Sequence, residues 1–243
     1  MSTTAAELII YPESDGKPMG ETDLHQEWMI RIKDILKRRY RNQNVYVASD
    51  LLIYYEQHTP ARYIVPDNFV VLDCPSHRRR IFKTWEENRV PDFVIEVTSK
   101  GTRREDELFK PTTYAMLGVK EYFLYDPTAE YLRPPLQGHR LNDQGLYDPI
   151  RETSGRLRCQ TLGLELLLED NDLVLLDVQS GERQLTGEEA EHQAWIAESE
   201  ARKVESEARK VESEARKVEA EARKAAEARV AELEAKLRHR NGH

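Results

Sequence analysis

The chain has 243 residues, 39% of them hydrophobic and 33% charged, and its formal net charge is -8. That allows one globular domain plus a segment that need not be globular, and the acidic balance argues against a non-specific DNA binder, whose phosphate affinity needs clustered Lys and Arg. No apolar run reaches membrane-span length, MSTTAAELIIYPESDG lacks the parts of a signal peptide, and Cys74 and Cys159 have no CxxC spacing. The expectation is a cytoplasmic protein with no membrane partner and two buried thiols in place of a zinc site or a disulfide.

In chain order, Thr22 or Asp23 can cap a helix whose apolar residues Trp28, Ile32, Ile35 and Leu36 recur at helical spacing, ending near Tyr40. Three strand-like runs follow, VYVASDLLIYYE, RYIVPDNFVVLD and PDFVIEVTSK. GTRREDELFKPTTYAMLG opens on a Thr102-x-x-Glu105 capping signal and stops at Gly118, so it predicts a second helix. Pro111 either kinks that helix or lies in its first regular turn. EYFLYDP is a fourth strand, PPLQGHRLNDQGLYDPI a hairpin around Asn142 to Gly145, and LGLELLLEDNDLVLLDVQSGE two further segments that read as extensions of the sheet.

The third run carries acids at mid-strand. Alternation puts Asp92, Val94, Glu96, Thr98 and Lys100 on one face and Phe93, Ile95 and Val97 on the other, so one face is expected to be core and the other a site. A bare buried carboxylate would cost several kcal/mol, so Glu96 needs a hydrogen-bond partner, a countercharge or a metal.

YPESDGKPMGETDLH, VPDNFVVLD, PDFVIEVTSKGTRREDELFK and GVKEYFLYDP together resemble the Uma-two family of restriction-endonuclease-like proteins, within the PD-(D/E)xK nuclease superfamily, over about Leu8 to Leu185. The resemblance implies an α/β, restriction-endonuclease-like mixed sheet flanked by helices over residues 1–187. It also implies a metal-dependent endonuclease acting on DNA, with Mg²⁺, or Mn²⁺, between two strand carboxylates; hard oxygen donors suit such an ion. Asp67, in Val65-Pro66-Asp67, matches the first acid and Glu96 the second. Asp92 lies about 13 Å along the strand from Glu96, too far to share one ion, and reads as a strand-entry residue. The superfamily's lysine two places after the Glu is replaced by Thr98. The resemblance offers Lys110 instead, within Asp106-x-x-x-Lys110-x-x-x-Tyr114, and Lys100 is the rival. Glu21 and Glu27 are candidate additional ligands, although acids in a first helical turn also answer the helix dipole. In this scheme the ion stabilises charge on the phosphorane and acidifies the water that a lysine helps to aim.

From Ala190 onward lie 12 of the 36 Lys+Arg and 12 of the 44 Asp+Glu, so the whole -8 belongs to the preceding part. ARKVESE repeats from Ala201, giving a heptad with Ala at a and Val at d, and the spacing changes to fours after Val218. Residues 188–243 are therefore expected to form a charged, coiled-coil-like helix. Glu at e and g opposes a strong homodimer, while Glu205 to Arg209, Glu212 to Arg216 and Glu219 to Arg223 are favourable i to i+4 pairs. Two functional readings follow: an endonuclease whose tail spaces it or associates with a copy or another protein, and a nuclease-fold binding or assembly protein that works through the tail without chemistry.

Overall fold

The computed structural model of the chain describes residues 9–16 and 22–240. Helix α1 (Asp23–Arg39) starts where the Thr22 hydroxyl accepts the His25 N–H at 3.3 Å, with Asp23 in its first turn and Lys37, Arg38 and Arg39 in its last. Both ends thus complement the helix dipole. Trp28, Met29, Ile32, Ile35 and Leu36 form its buried stripe.

Numbered in chain order, β1 (Val45–Ala48), β4 (Asn68–Leu72), β6 (Phe93–Val97), β7 (Glu121–Tyr125), β8 (Leu136–Leu141) and β9 (Tyr147–Pro149) lie side by side in one sheet. All neighbours are antiparallel except β6 and β7. That parallel pair needs a crossover, which helix α3 (Lys110–Leu117) supplies; Gly118, with φ at 83°, ends it in the left-handed conformation. The first two strand-like runs each break in two, yielding β2 (Ile53–Tyr54) and β3 (Tyr63–Ile64). These pair with β5 (Phe82–Lys83) in a small second sheet, just before the one-turn helix α2 (Thr84–Glu87).

The face of β6 expected to carry the site is buried like the core face, because the main sheet is covered on both sides. Phe93, Ile95 and Val97 join Val70, Phe123, Tyr125 and the stripe of α1 in one core. Val94 joins Phe69, Val71, Tyr114, Tyr122 and Leu124 in the other, which the β2, β3 and β5 sheet closes. Apolar residues in unbroken runs are what a strand buried on two faces requires.

The late strands also differ from expectation. β11 (Leu164–Glu169) and β12 (Asp172–Asp177) do not extend the main sheet but form a third sheet with β10 (Arg156–Cys159). Their turn, Asp170-Asn171, has both φ values positive, as tight hairpins favour. Leu157, Leu164, Leu166, Leu173 and Leu175 from this sheet seal the α1 core.

The chain divides into two compact units at Gly187 and Glu188. The second consists of a single helix, α4 (Gly187–Arg240), whose Val204, Val211 and Val218 are exposed. Arg202, Arg209 and Arg216 each reach back four residues to a glutamate, whereas Arg223 pairs forward with Glu227 instead of back with Glu219. Among the described residues no helix is long and apolar enough to cross a membrane.

Candidate active site

Pro66 has no N–H to give to the β4–β6 ladder, and immediately after it the strands exchange side-chain bonds. The ladder pairs Asn68 with Ile95, which sets Asp67 beside Glu96. The Asp67 N–H donates to Glu96 Oε2 at 3.0 Å, and the Val97 N–H donates to Asp67 Oδ2 at 2.7 Å. His25 Nε2 lies 3.1 Å from the same Oδ2, so α1 fixes the carboxylate from above. Sequence reasoning missed His25. Its signal was available, since His25 precedes Trp28, Met29 and Ile32 by three, four and seven residues and so occupies the buried stripe.

The crossover helix brings the other partners. Asp106, Lys110 and Tyr114 share a face, as their spacing anticipates, but not through a regular helix. Glu105–Phe109 is a π-helical turn, in which the Lys110 N–H reaches back five residues to the Glu105 carbonyl. Pro111, which cannot make the ordinary i to i-4 bond, follows directly, so the wider turn absorbs the missing donor. Nor does Thr102 form the expected capping box: its hydroxyl accepts the Ser99 N–H at 3.0 Å. Lys110 Nζ lies 2.9 Å from Glu96 Oε2 and 2.9 Å from Asp106 Oδ1. The Tyr114 hydroxyl donates to Glu96 Oε1 at 2.5 Å, and the Tyr122 hydroxyl donates to the Asp106 carbonyl at 2.5 Å.

Three buried carboxyls therefore surround one ammonium. Burial, followed by the charges of Asp67 and Asp106, raises Glu96 to about 8 even though Lys110 pulls it down. Burial and Asp67 also raise Asp106. For Asp67, burial is outweighed by the His25 bond, the Lys110 charge and the Val97 amide, and its pKa is lowered. Lys110 loses solvation as well, but Glu96, Asp106 and Asp67 hold its proton well above the usual lysine range.

A cavity of about 720 Å³ opens over this cluster, lined by His25, Asp67, Thr98, Lys100 and Lys110 among others. Asp67 Oδ1 has no hydrogen-bond partner among the described residues, whereas Glu96 is fully buried and does not line the cavity. The donors fit a hard divalent cation: an unengaged carboxylate oxygen at a cavity wall, beside two further buried carboxyls whose pKa values are raised and whose protons a cation would displace. Among the described residues no group of three His, Cys, Asp or Glu forms a metal cage. Mg²⁺ does not need one, being held elsewhere by one or two carboxylates, water and substrate phosphate.

The remaining candidates fall outside the cluster. Lys100 is exposed at the cavity rim. Asp92 clamps the strands, its Oδ2 accepting the Leu72 N–H at 2.8 Å and its Oδ1 pairing with Lys120 at 2.7 Å. Glu27 points to solvent on α1, and Glu21 lies outside the described residues. Both cysteines are free and buried.

No curated protein matches the chain. Among solved structures it is similar to one described as a "putative nuclease belonging to DUF820" from Anabaena variabilis, with 16% identity and a TM-score of 0.44, covering 62% of this chain and 81% of that one. The family described as Uma2, "Putative restriction endonuclease", matches residues 11–178, a span holding His25, Asp67, Glu96, Asp106, Lys110 and Tyr114, and the chain belongs to that family.

Proposed function

We propose that the chain is a metal-dependent endonuclease that hydrolyses phosphodiester bonds in DNA, with Asp67 and Glu96 holding Mg²⁺ or Mn²⁺ and Lys110 assisting. The observation that carries this reading is the Lys110 ammonium, bound to two buried carboxyls yet lining the cavity beside Asp67. When bound, the ion supplies Lewis acidity to a phosphoryl oxygen and lowers the pKa of a water. The chain's own residues do the rest. His25 and the Val97 amide orient Asp67 so that Oδ1 stays available. Tyr114 and Lys110 hold Glu96, and an ammonium has three donors, so Lys110 keeps one for the charge that develops on the phosphate.

Plasmid cleavage with Mg²⁺ or Mn²⁺ tests this. Asp67→Asn and Lys110→Ala should each lower turnover by about 10²-fold or more, while Lys100→Ala stays near wild type. A dead Lys100→Ala beside an active Lys110→Ala overturns the lysine assignment. Wild type that cuts nothing across metals and substrates overturns the enzyme. The second reading, a fold-retaining assembly protein acting through α4, is favoured by one observation: both oxygens of Glu96 are already engaged by the chain itself. It predicts that same null result.

A further inference from the structure

A second hollow, of about 630 Å³, lies between the end of α1, strand β1 and the segment after β4. Lys33, Lys37, Arg41, Arg78 and Arg79 line it, and no Asp or Glu does. On a unit that is net acidic, with 24 Lys+Arg against 30 Asp+Glu up to Gly187, such a concentration of cations runs against the average. Arg79 is a support: its side chain is buried, bonds Glu87 at 2.6 Å and stacks 4.2 Å over the Tyr46 ring. The others have no such role. Lys37, Arg41 and Arg78 are exposed and have no ion pair among the described residues. Lys33 is held below the usual lysine range by burial and then by Lys37 one turn away, the mark of a local positive field that Asp50 only partly offsets.

The hollow adjoins the site already described. Ser49 and Leu51 line it, while Asp50 between them lines the active-site cavity, and the Asp50 N–H bonds the Pro66 carbonyl next to Asp67. The two concavities thus share a wall of three residues. Lys33 and Lys37 stand about 6 Å apart along α1, with Arg41 continuing past its end, so the cations form a row instead of a point. A row suits a polymer of repeating charges better than a single small anion.

We propose that this basic groove binds the phosphate backbone of duplex DNA beside the bond to be cut, with Lys37 and Arg78 gripping from opposite walls. The assignment of DNA as partner rests on the nuclease reading; the groove itself can be tested without cleavage. Binding of a fluorescent DNA duplex would be measured in the Asp67→Asn background without divalent ions, across about 50 to 200 mM salt. Each lost phosphate contact reduces the slope of log affinity against log salt by about 0.9, so K37E/R78E should flatten it by about 1.8 or more and weaken binding at the lowest salt. The control R151E/R158E makes the same charge change at exposed positions that do not line the groove. Equal losses in both variants, an unchanged slope in K37E/R78E, or no duplex binding by the parent protein would each overturn the groove. If K37E/R78E selectively loses binding while wild type cuts nothing in the plasmid assay, the groove stands and the nuclease reading falls.

Discussion

At the residue scale, the buried charges make pH and metal act on one another. Glu96, raised to about 8 in the folded protein, is protonated there at pH values where the unfolded chain has already released that proton. Folded protein then binds more protons than unfolded, so this group makes stability fall as pH rises from about 4.5 to about 8 and adds no further slope above that. Metal-free melts of wild type should show that decline, and Glu96→Gln should flatten it. A divalent ion competes with the same proton, so Mn²⁺ affinity measured by calorimetry should strengthen between pH 6 and 8 and then level off. Asp67 runs the other way: its lowered pKa contributes stability above the unfolded value that is lost as pH falls through the folded one. Lys110→Ala removes the lysine countercharge of the cluster and should cost about 3–5 kcal/mol in metal-free denaturant unfolding. Divalent ion should return part of that loss, a partial rescue that a merely packing role for Lys110 would not show.

At the scale of elements, the π-helical turn sets the register of the crossover helix. Pro111→Ala restores a backbone donor and permits the ordinary helical bond, so stability should hold or rise. Activity should drop by up to about 10²-fold, because relaxing the wider turn shifts Asp106 relative to Lys110. Unchanged cleavage in a well-folded Pro111→Ala variant would show that the turn is incidental. What could be read in advance tracks how local each cause is. The runs that became β4, β6 and β7 and the cap of α1 are written in short spacings and emerge from those spacings. Asp106, Lys110 and Tyr114 are instead singled out by the family resemblance, and only their shared face follows from their four-residue spacing. Pro111 announces that a bond is missing but not how the chain absorbs it. Strands of two residues, as in β2, β3 and β5, carry no period, so the sheet that closes the second core stayed hidden. With it went the fact that both faces of β6 are buried. His25 was overlooked because a histidine on an apolar stripe looks like helix core until its partner on another element is known.

At the scale of the whole molecule, the two units invite separation. A chain truncated after Thr186 keeps the three sheets, the cavity and the charge cluster, so its plasmid cleavage should equal that of the full chain. Loss of activity in a folded truncation of unchanged oligomeric state would place α4 within the machinery. Self-association of the full chain should be weak at low salt and stronger at high salt or low pH, where the glutamates flanking the Val204, Val211 and Val218 line are screened or protonated; sedimentation at two salt concentrations checks this. The repeat in that helix has one more consequence. ARKVESE recurs almost without change and carries no distinctive residue to mark one copy from the next. A partner helix sliding along it by seven residues meets the same valines and the same charges about 10 Å further on. Whatever docks there will find several nearly equivalent frames, and cross-links from a single engineered cysteine should fall on a ladder of positions one heptad apart.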